Sequence, residues 1–222
     1  MLLLAPVPAS RRPARVALLF AGLVLYGFSD GLLLLAALGL DPWDVLQQGL
    51  SRTFGLQVGT WAIIVGVVVL LGWIPLRQRP GLGTVCNVVV VGVVINATLA
   101  YVPTPHLLWV RIVVLVGAVG LNGIATGAYI GAGLGPGPRD GLTTGIAARG
   151  HSVRVVRTVI EACVLVTGWL LGGTVGVGTV LYALAIGPIT HVTIPALRLA
   201  DRPPRRCDTD PDPDRSVACS GG

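Results

Sequence analysis

Two short stretches decide how this chain folds: "GLDPWDVLQQGL" (residues 39–50) and "GLGPGPRDGL" (residues 133–142). Each breaks a long apolar run with glycine, proline and charge. In the first, Asp41 has the chemistry of an N-cap, Pro42 that of a first helical residue, and Asp44 falls in the first turn, where a carboxylate complements the helix dipole. Trp43, Leu46, Leu50 and Phe54 then follow on one side, with Asp44, Gln47, Gln48, Ser51 and Arg52 elsewhere, so the spacing predicts a short amphipathic helix over 42–54. In the second stretch Pro138 starts a matching short helix over 138–149, with Asp140 in its first turn. Both helices are too short to span a bilayer, which takes about 20 residues.

The two stretches are copies. Residues 15–50 set against 111–146, an offset of 96, give 12 identities in 36 positions. Many are Gly or Leu, which match easily in this composition. More informative are Arg15 with Arg111, Pro42 with Pro138 and Asp44 with Asp140. Gly27, Gly31, Gly39 and Gly49 match Gly123, Gly127, Gly135 and Gly145. Gly72-Trp73 matches Gly168-Trp169, and after a one-residue deletion Gly83-Thr84-Val85 matches Gly178-Thr179-Val180.

Around the copies the sequence is that of a membrane protein. Only 12% of the 222 residues are charged and 53% are apolar, too little polarity to cover a soluble surface. Six segments are long enough to cross: 16–38, 57–75, 84–102, 107–133, 153–173 and 178–199. The first follows Arg11, Arg12 and Arg15 as a signal peptide would. It runs on to about Leu40, beyond a signal core, and has a counterpart in the second copy, so it reads as a retained helix. The expected architecture is all-α: repeat 1 over 16–102 and repeat 2 over 107–199, each with three spans and one short helix after its first span. An N-terminal segment (1–15) and a disordered tail (200–222) flank them, both cytoplasmic. Three is odd, so the second copy would run inverted in the membrane, an arrangement common in transporters.

Charge placement supports this topology. All sixteen basic residues are arginines, lying at the ends of apolar runs, and the chain carries a formal charge of +6. Nucleic acid is therefore not the expected partner; the lipid bilayer is. Fourteen arginines fall on one side under a six-span count, and only Arg52 and Arg111 on the other, which puts both termini in the cytoplasm.

Candidate site residues follow from depth and charge. Asp30 lies mid-span, where an ionisable group costs roughly 2.5–3.5 kcal/mol and must face the bundle interior. Asp44 and Asp140 either cap the short helices or bind a cation or proton. Arg139 cannot face its neighbour Asp140 on a helix. Arg157 and Glu161 sit at i,i+4, and burial would oblige them to pair. Asn87, Asn96, Asn122 and His191 complete the polar interior set. Gly27, Gly31, Gly123, Gly127, Gly131 and Gly135 are structural: small-residue stripes let helices approach closely in lipid. The first and fourth spans are expected to pack through them on each other, or on close neighbours across the pseudo-two-fold that relates the copies, and the same faces could equally join a homo-oligomer. The short helices have two readings, flat in the interface or re-entrant with their N-termini at a cavity.

No carboxylate pair, activated nucleophile or phosphate loop supports an enzyme. Cys86, Cys163, Cys207 and Cys219 show no metal-ligand spacing, and no metal or cofactor is expected. The expected function is a transporter or permease for a small solute, its site formed by Asp30, Asp44, Arg139, Asp140, Arg157 and Glu161. The rival is a non-transporting assembly or regulatory partner.

"GLDPWDVLQQGLSRTFGLQVGTW" (39–61), then "GLGPGPRDGL", "HSVRVVRTVIE" and "GWLLGGTVGVGT", in that order, resemble the bacterial YczE/YyaS/YitT-type membrane proteins. The resemblance covers about residues 16–199. It implies a small multi-spanning protein of the bacterial plasma membrane and carries over no reaction, substrate or site residue.

Overall fold

The computed structural model describes residues 12–199 apart from 77 and 79; the expected tail and most of the N-terminal segment lie outside the described residues. The described residues form eight helices and no strand: α1 (Arg12–Ala36), α2 (Pro42–Phe54), α3 (Val58–Leu76), α4 (Leu82–Tyr101), α5 (Leu108–Gly131), α6 (Pro138–Ala147), α7 (Val153–Leu170) and α8 (Val177–Leu197). Five of these, α1, α3, α4, α5 and α8, are long and apolar enough to cross a membrane. The 18-residue α7 carries Arg154, Arg157 and Glu161 among its apolar residues. The short helices form where expected. Asp41 caps α2, its Oδ1 accepting the Asp44 N–H at 2.6 Å, and Pro42 and Pro138 open α2 and α6. Only α6 ends early, at Ala147, in a turn that closes on Gly150 with φ 101°.

Helices α1 and α5 form the centre and run antiparallel. Arg15, at the start of α1, donates from Nη1 to the Ala132 carbonyl just past the end of α5, at 2.9 Å. Arg111, at the start of α5, donates from Nε to the Ala36 carbonyl at the end of α1, at 2.7 Å. Each arginine satisfies carbonyls that a helix C-terminus leaves without intrahelical partners. Leu19, Leu23, Leu33, Leu115, Ala118 and Ala125 fill the seam, with Ile95 of α4 beside them.

Helix α4 then packs on α1, and α8 on α5. Gly27 and Gly31 of α1 face α4, and Gly123, Gly127 and Gly131 of α5 face α8. A Cβ on Gly27 would lie 2.8 Å from the Val91 carbonyl oxygen, and one on Gly127 2.7 Å from Thr193 Cβ. This corrects part of the sequence reading. The first and fourth spans do pack together, but the matched glycines point away from that seam, to α4 and α8. A glycine stripe records that two backbones come close without recording which two.

The breaks before the short helices are built alike. Gly39 and Gly135 have φ of 126° and 123°, which a side chain would strain. The Gly178 N–H donates to the Leu38 carbonyl and the Gly83 N–H to the Leu134 carbonyl, both at 2.9 Å. Each half thus grips the other just past its first long helix. Outside, Val67, Val68, Leu71, Val113, Val116, Leu184 and Val192 are exposed, the apolar surface that lipid covers.

Candidate functional site

The two short helices start against each other. Arg139, in the first turn of α6, donates from Nη1 to Oδ2 of Asp41, the cap of α2, at 2.7 Å. Its guanidinium carbon lies 5.2 Å from the centre of the Trp43 ring, within cation–π range. Asp41 is therefore fully engaged: one oxygen caps α2 and the other binds Arg139. Trp73 of α3 fixes α6 from behind, its Nε1 donating to the Pro138 carbonyl at 3.1 Å and its ring filling the space a Gly141 side chain would need. Asp140 does not cap its own helix. Its Oδ2 accepts from the Tyr129 hydroxyl at 3.3 Å, and no side chain caps the start of α6.

A second network lies in the buried centre. Asn122 of α5 donates from Nδ2 to Asp30 Oδ1 at 2.7 Å and to Ser29 Oγ at 2.9 Å. Its Oδ1 accepts from the Tyr182 hydroxyl at 2.9 Å. Three long helices, α1, α5 and α8, are thereby joined through one amide. Asp30 has no exposed surface, so it faces the interior, as its depth required.

Between these networks lies a cavity of about 340 Å³, at the small end of ligand sites. Tyr26, Trp43, Gln47, Tyr129 and Tyr182 supply much of its wall. Of the residues singled out in the sequence, Arg139, Asp140, Arg157 and Glu161 also line it, whereas Asp30 and Asp44 do not and lie buried outside its lining. The expected Arg157–Glu161 pair forms at 2.9 Å, but with side chains 58% and 40% exposed it is not the buried pair anticipated. The other polar candidates scatter. Asn87 lines the cavity. Asn96 instead ties α4 to the start of α3, its Oδ1 accepting the Gly59 N–H at 2.8 Å. His191 lies on the exposed face of α8, not in the interior.

Sequence reasoning missed Asp41 as an ion-pair partner and the three tyrosines as cavity walls. A faint signal existed for the tyrosines: three of the four in the chain, Tyr26, Tyr129 and Tyr182, fall here. Taken together, the site offers carboxylates, guanidiniums and aromatic faces around a small space. It can hold a small polar solute by ion pairing, hydrogen bonding and stacking.

An all-helical bundle with five apolar spanning helices and an exposed apolar surface defines a multi-spanning membrane protein. Among its relatives are an uncharacterized protein of Haemophilus influenzae, 39% identical over 177 residues (79% of this chain and 81% of the relative), and the uncharacterized membrane protein YczE of Bacillus subtilis, 37% identical over 180 residues (79% and 83%). The uncharacterized protein YyaS of Bacillus subtilis is 30% identical over 182 residues (78% and 89%). The chain belongs to the family of unknown function DUF6198, whose pattern matches residues 13–195, and the likeness to YczE and YyaS agrees with the motifs that first suggested it. No solved structure matches the chain.

Proposed function

We propose that this protein is a transporter or permease for a small solute in the bacterial plasma membrane. The observation that carries the reading is the charged, aromatic-walled cavity placed where the starts of α2 and α6 meet. In this account α7 is the sixth span, with Arg157 and Glu161 turned to the cavity, and both termini are cytoplasmic. The halves α1–α4 and α5–α8 are inverted repeats. Supporting that are the reciprocal Arg15 and Arg111 contacts, the matched φ of Gly39 and Gly135, and glycines at matched positions meeting Thr98 and Thr193. The short helices are re-entrant, their N-termini directed at the solute site, as in transporters with broken helices.

The test is uptake by liposomes containing the purified protein, across a panel of small zwitterionic, cationic and anionic solutes. Wild type moves at least one of them, and Asp140→Asn slows that flux by at least tenfold. Absence of flux or binding across the panel, with a stoichiometric partner co-purifying, would replace transport by the role of an assembly or regulatory partner.

A further inference from the structure

Four buried side-chain atoms among the described residues lack a hydrogen-bond partner: Asp30 Oδ2, both carboxyl oxygens of Asp44, and Gln47 Oε1. All four are acceptors. The shortage in this region is therefore of hydrogens, and a buried polar group left unpaired costs about 1–3 kcal/mol, more when charged.

Charge counting points the same way. Asp30, Asp41 and Asp44 are buried and share the field of one guanidinium, Arg139. Asp41 takes that guanidinium and the capping N–H, and Asp30 has Asn122. Asp44 has neither cation nor donor, and no surface exposed to water. Burying such a carboxylate ionised is prohibitively costly, so it either takes a proton or gains a cation. Among the described residues no three metal-binding side chains converge. Gln47 follows one helical turn after Asp44 on α2, at the spacing where side chains meet, and it lines the cavity.

We propose that Asp44 is a proton-binding site at the back of the solute cavity, its protonated carboxyl donating to Gln47 Oε1. The carboxylate gains one proton as an O–H bond and turns from acceptor to donor, satisfying two of the four lone acceptor atoms at once, one Asp44 oxygen and Gln47 Oε1. Because Gln47 also faces the cavity, the proton and a cavity solute share one side chain, which makes the proton the coupling ion of the transport reading on which this part rests. Arg139, Asp41 and Asp30 are the charged groups that surround Asp44, with the Tyr182 phenol beyond them. Burial, reinforced by the Asp30 and Asp41 carboxyls and opposed by Arg139, holds the Asp44 carboxyl well above the usual carboxylate range.

The test is infrared spectroscopy of the full chain in lipid nanodiscs as pH is raised, with a sodium titration at fixed pH beside it. Wild type shows the carbonyl stretch of a protonated carboxylic acid at neutral pH, sensitive to deuterium exchange. Asp44→Asn removes it and Asp30→Asn keeps it. A spectrum without that band at neutral pH overturns the site. So does a band that survives Asp44→Asn, or one that sodium ions abolish at fixed pH, which would mark a sodium site. Should Asp44→Asn fail to fold, Gln47→Leu must shift the same band, because it removes the acceptor; an unmoved band overturns the assignment. No solute is involved, so a failed uptake panel leaves this result standing, and a missing band leaves uptake untouched.

Discussion

Removing the Arg139 side chain is the sharpest perturbation the fold offers. Arg139→Gln takes away the guanidinium whose field Asp30, Asp41 and Asp44 share, and it separates the starts of α2 and α6. The Asp41 side chain is 2% exposed and that of Arg139 26%, so the pair is mostly but not wholly buried. Breaking a fully buried pair costs about 3–5 kcal/mol, and partial exposure of the arginine brings the expectation to about 3 kcal/mol. Loss of the Trp43 contact is part of that figure. For a chain of this size about 3 kcal/mol corresponds to a fall in Tm of roughly 6–12 °C, readable by thermal melting in detergent. A double-mutant cycle separates the pair from its surroundings. Asp41→Asn removes the carboxylate that Arg139→Gln leaves stranded, so the double variant melts above the sum of the two singles, with a coupling of at least about 1 kcal/mol. Additive single effects, or an Arg139→Gln protein as stable as wild type, would refute the clamp between the short helices.

Three further outcomes follow. Gly127→Val places a side chain where Thr193 already stands, 2.7 Å from the nearest possible Cβ, and forces α5 from α8; melting should show a loss of about 1–3 kcal/mol or more, and an unchanged Tm would mean that the stripe is not a packing face. By contrast Arg157→Gln breaks an exposed i,i+4 pair and should change stability by less than about 0.5 kcal/mol, while changing uptake of any charged solute. Asp44 governs pH dependence: its folded carboxyl titrates above the unfolded value near 3.9. Its contribution is therefore fully present below about pH 3.9 and is lost as pH rises toward the folded value. Asp44→Asn flattens that fall in Tm, and a variant whose Tm keeps the wild-type pH slope counts against it.

How much the sequence disclosed depended on how local the controlling physics was. Helix α2 begins where capping chemistry placed it, because Asp41 and Pro42 act on their own backbone. Apolar length located the long helices to within a few residues, since the lipid requirement is written in each segment alone. Two-body facts were harder. Asp41 and Arg139 lie 98 positions apart, and nothing local in Asp41 distinguishes a cap from a cap that also binds a cation. The i,i+4 spacing of Arg157 and Glu161 announced their pairing but not their exposure, which depends on where α7 stands relative to its neighbours. His191 reads as interior because it sits in an apolar segment, yet it lies on the exposed face of α8. Asp30 was legible from depth alone; its partner Asn122 became visible only when α5 was laid against α1.

The claim on which the account turns is that a solvent-reachable cavity lies between the two halves. Thr126 lines it from α5 and is partly buried. A single cysteine there, Thr126→Cys with Cys86, Cys163, Cys207 and Cys219 replaced by Ser, can be treated in sealed vesicles with a membrane-impermeant thiol reagent. Labelling is expected from one side of the membrane, and slower labelling when a transported solute is present. No labelling from either side, while a cysteine in an exposed loop reacts readily, would mean a sealed bundle and contradict it.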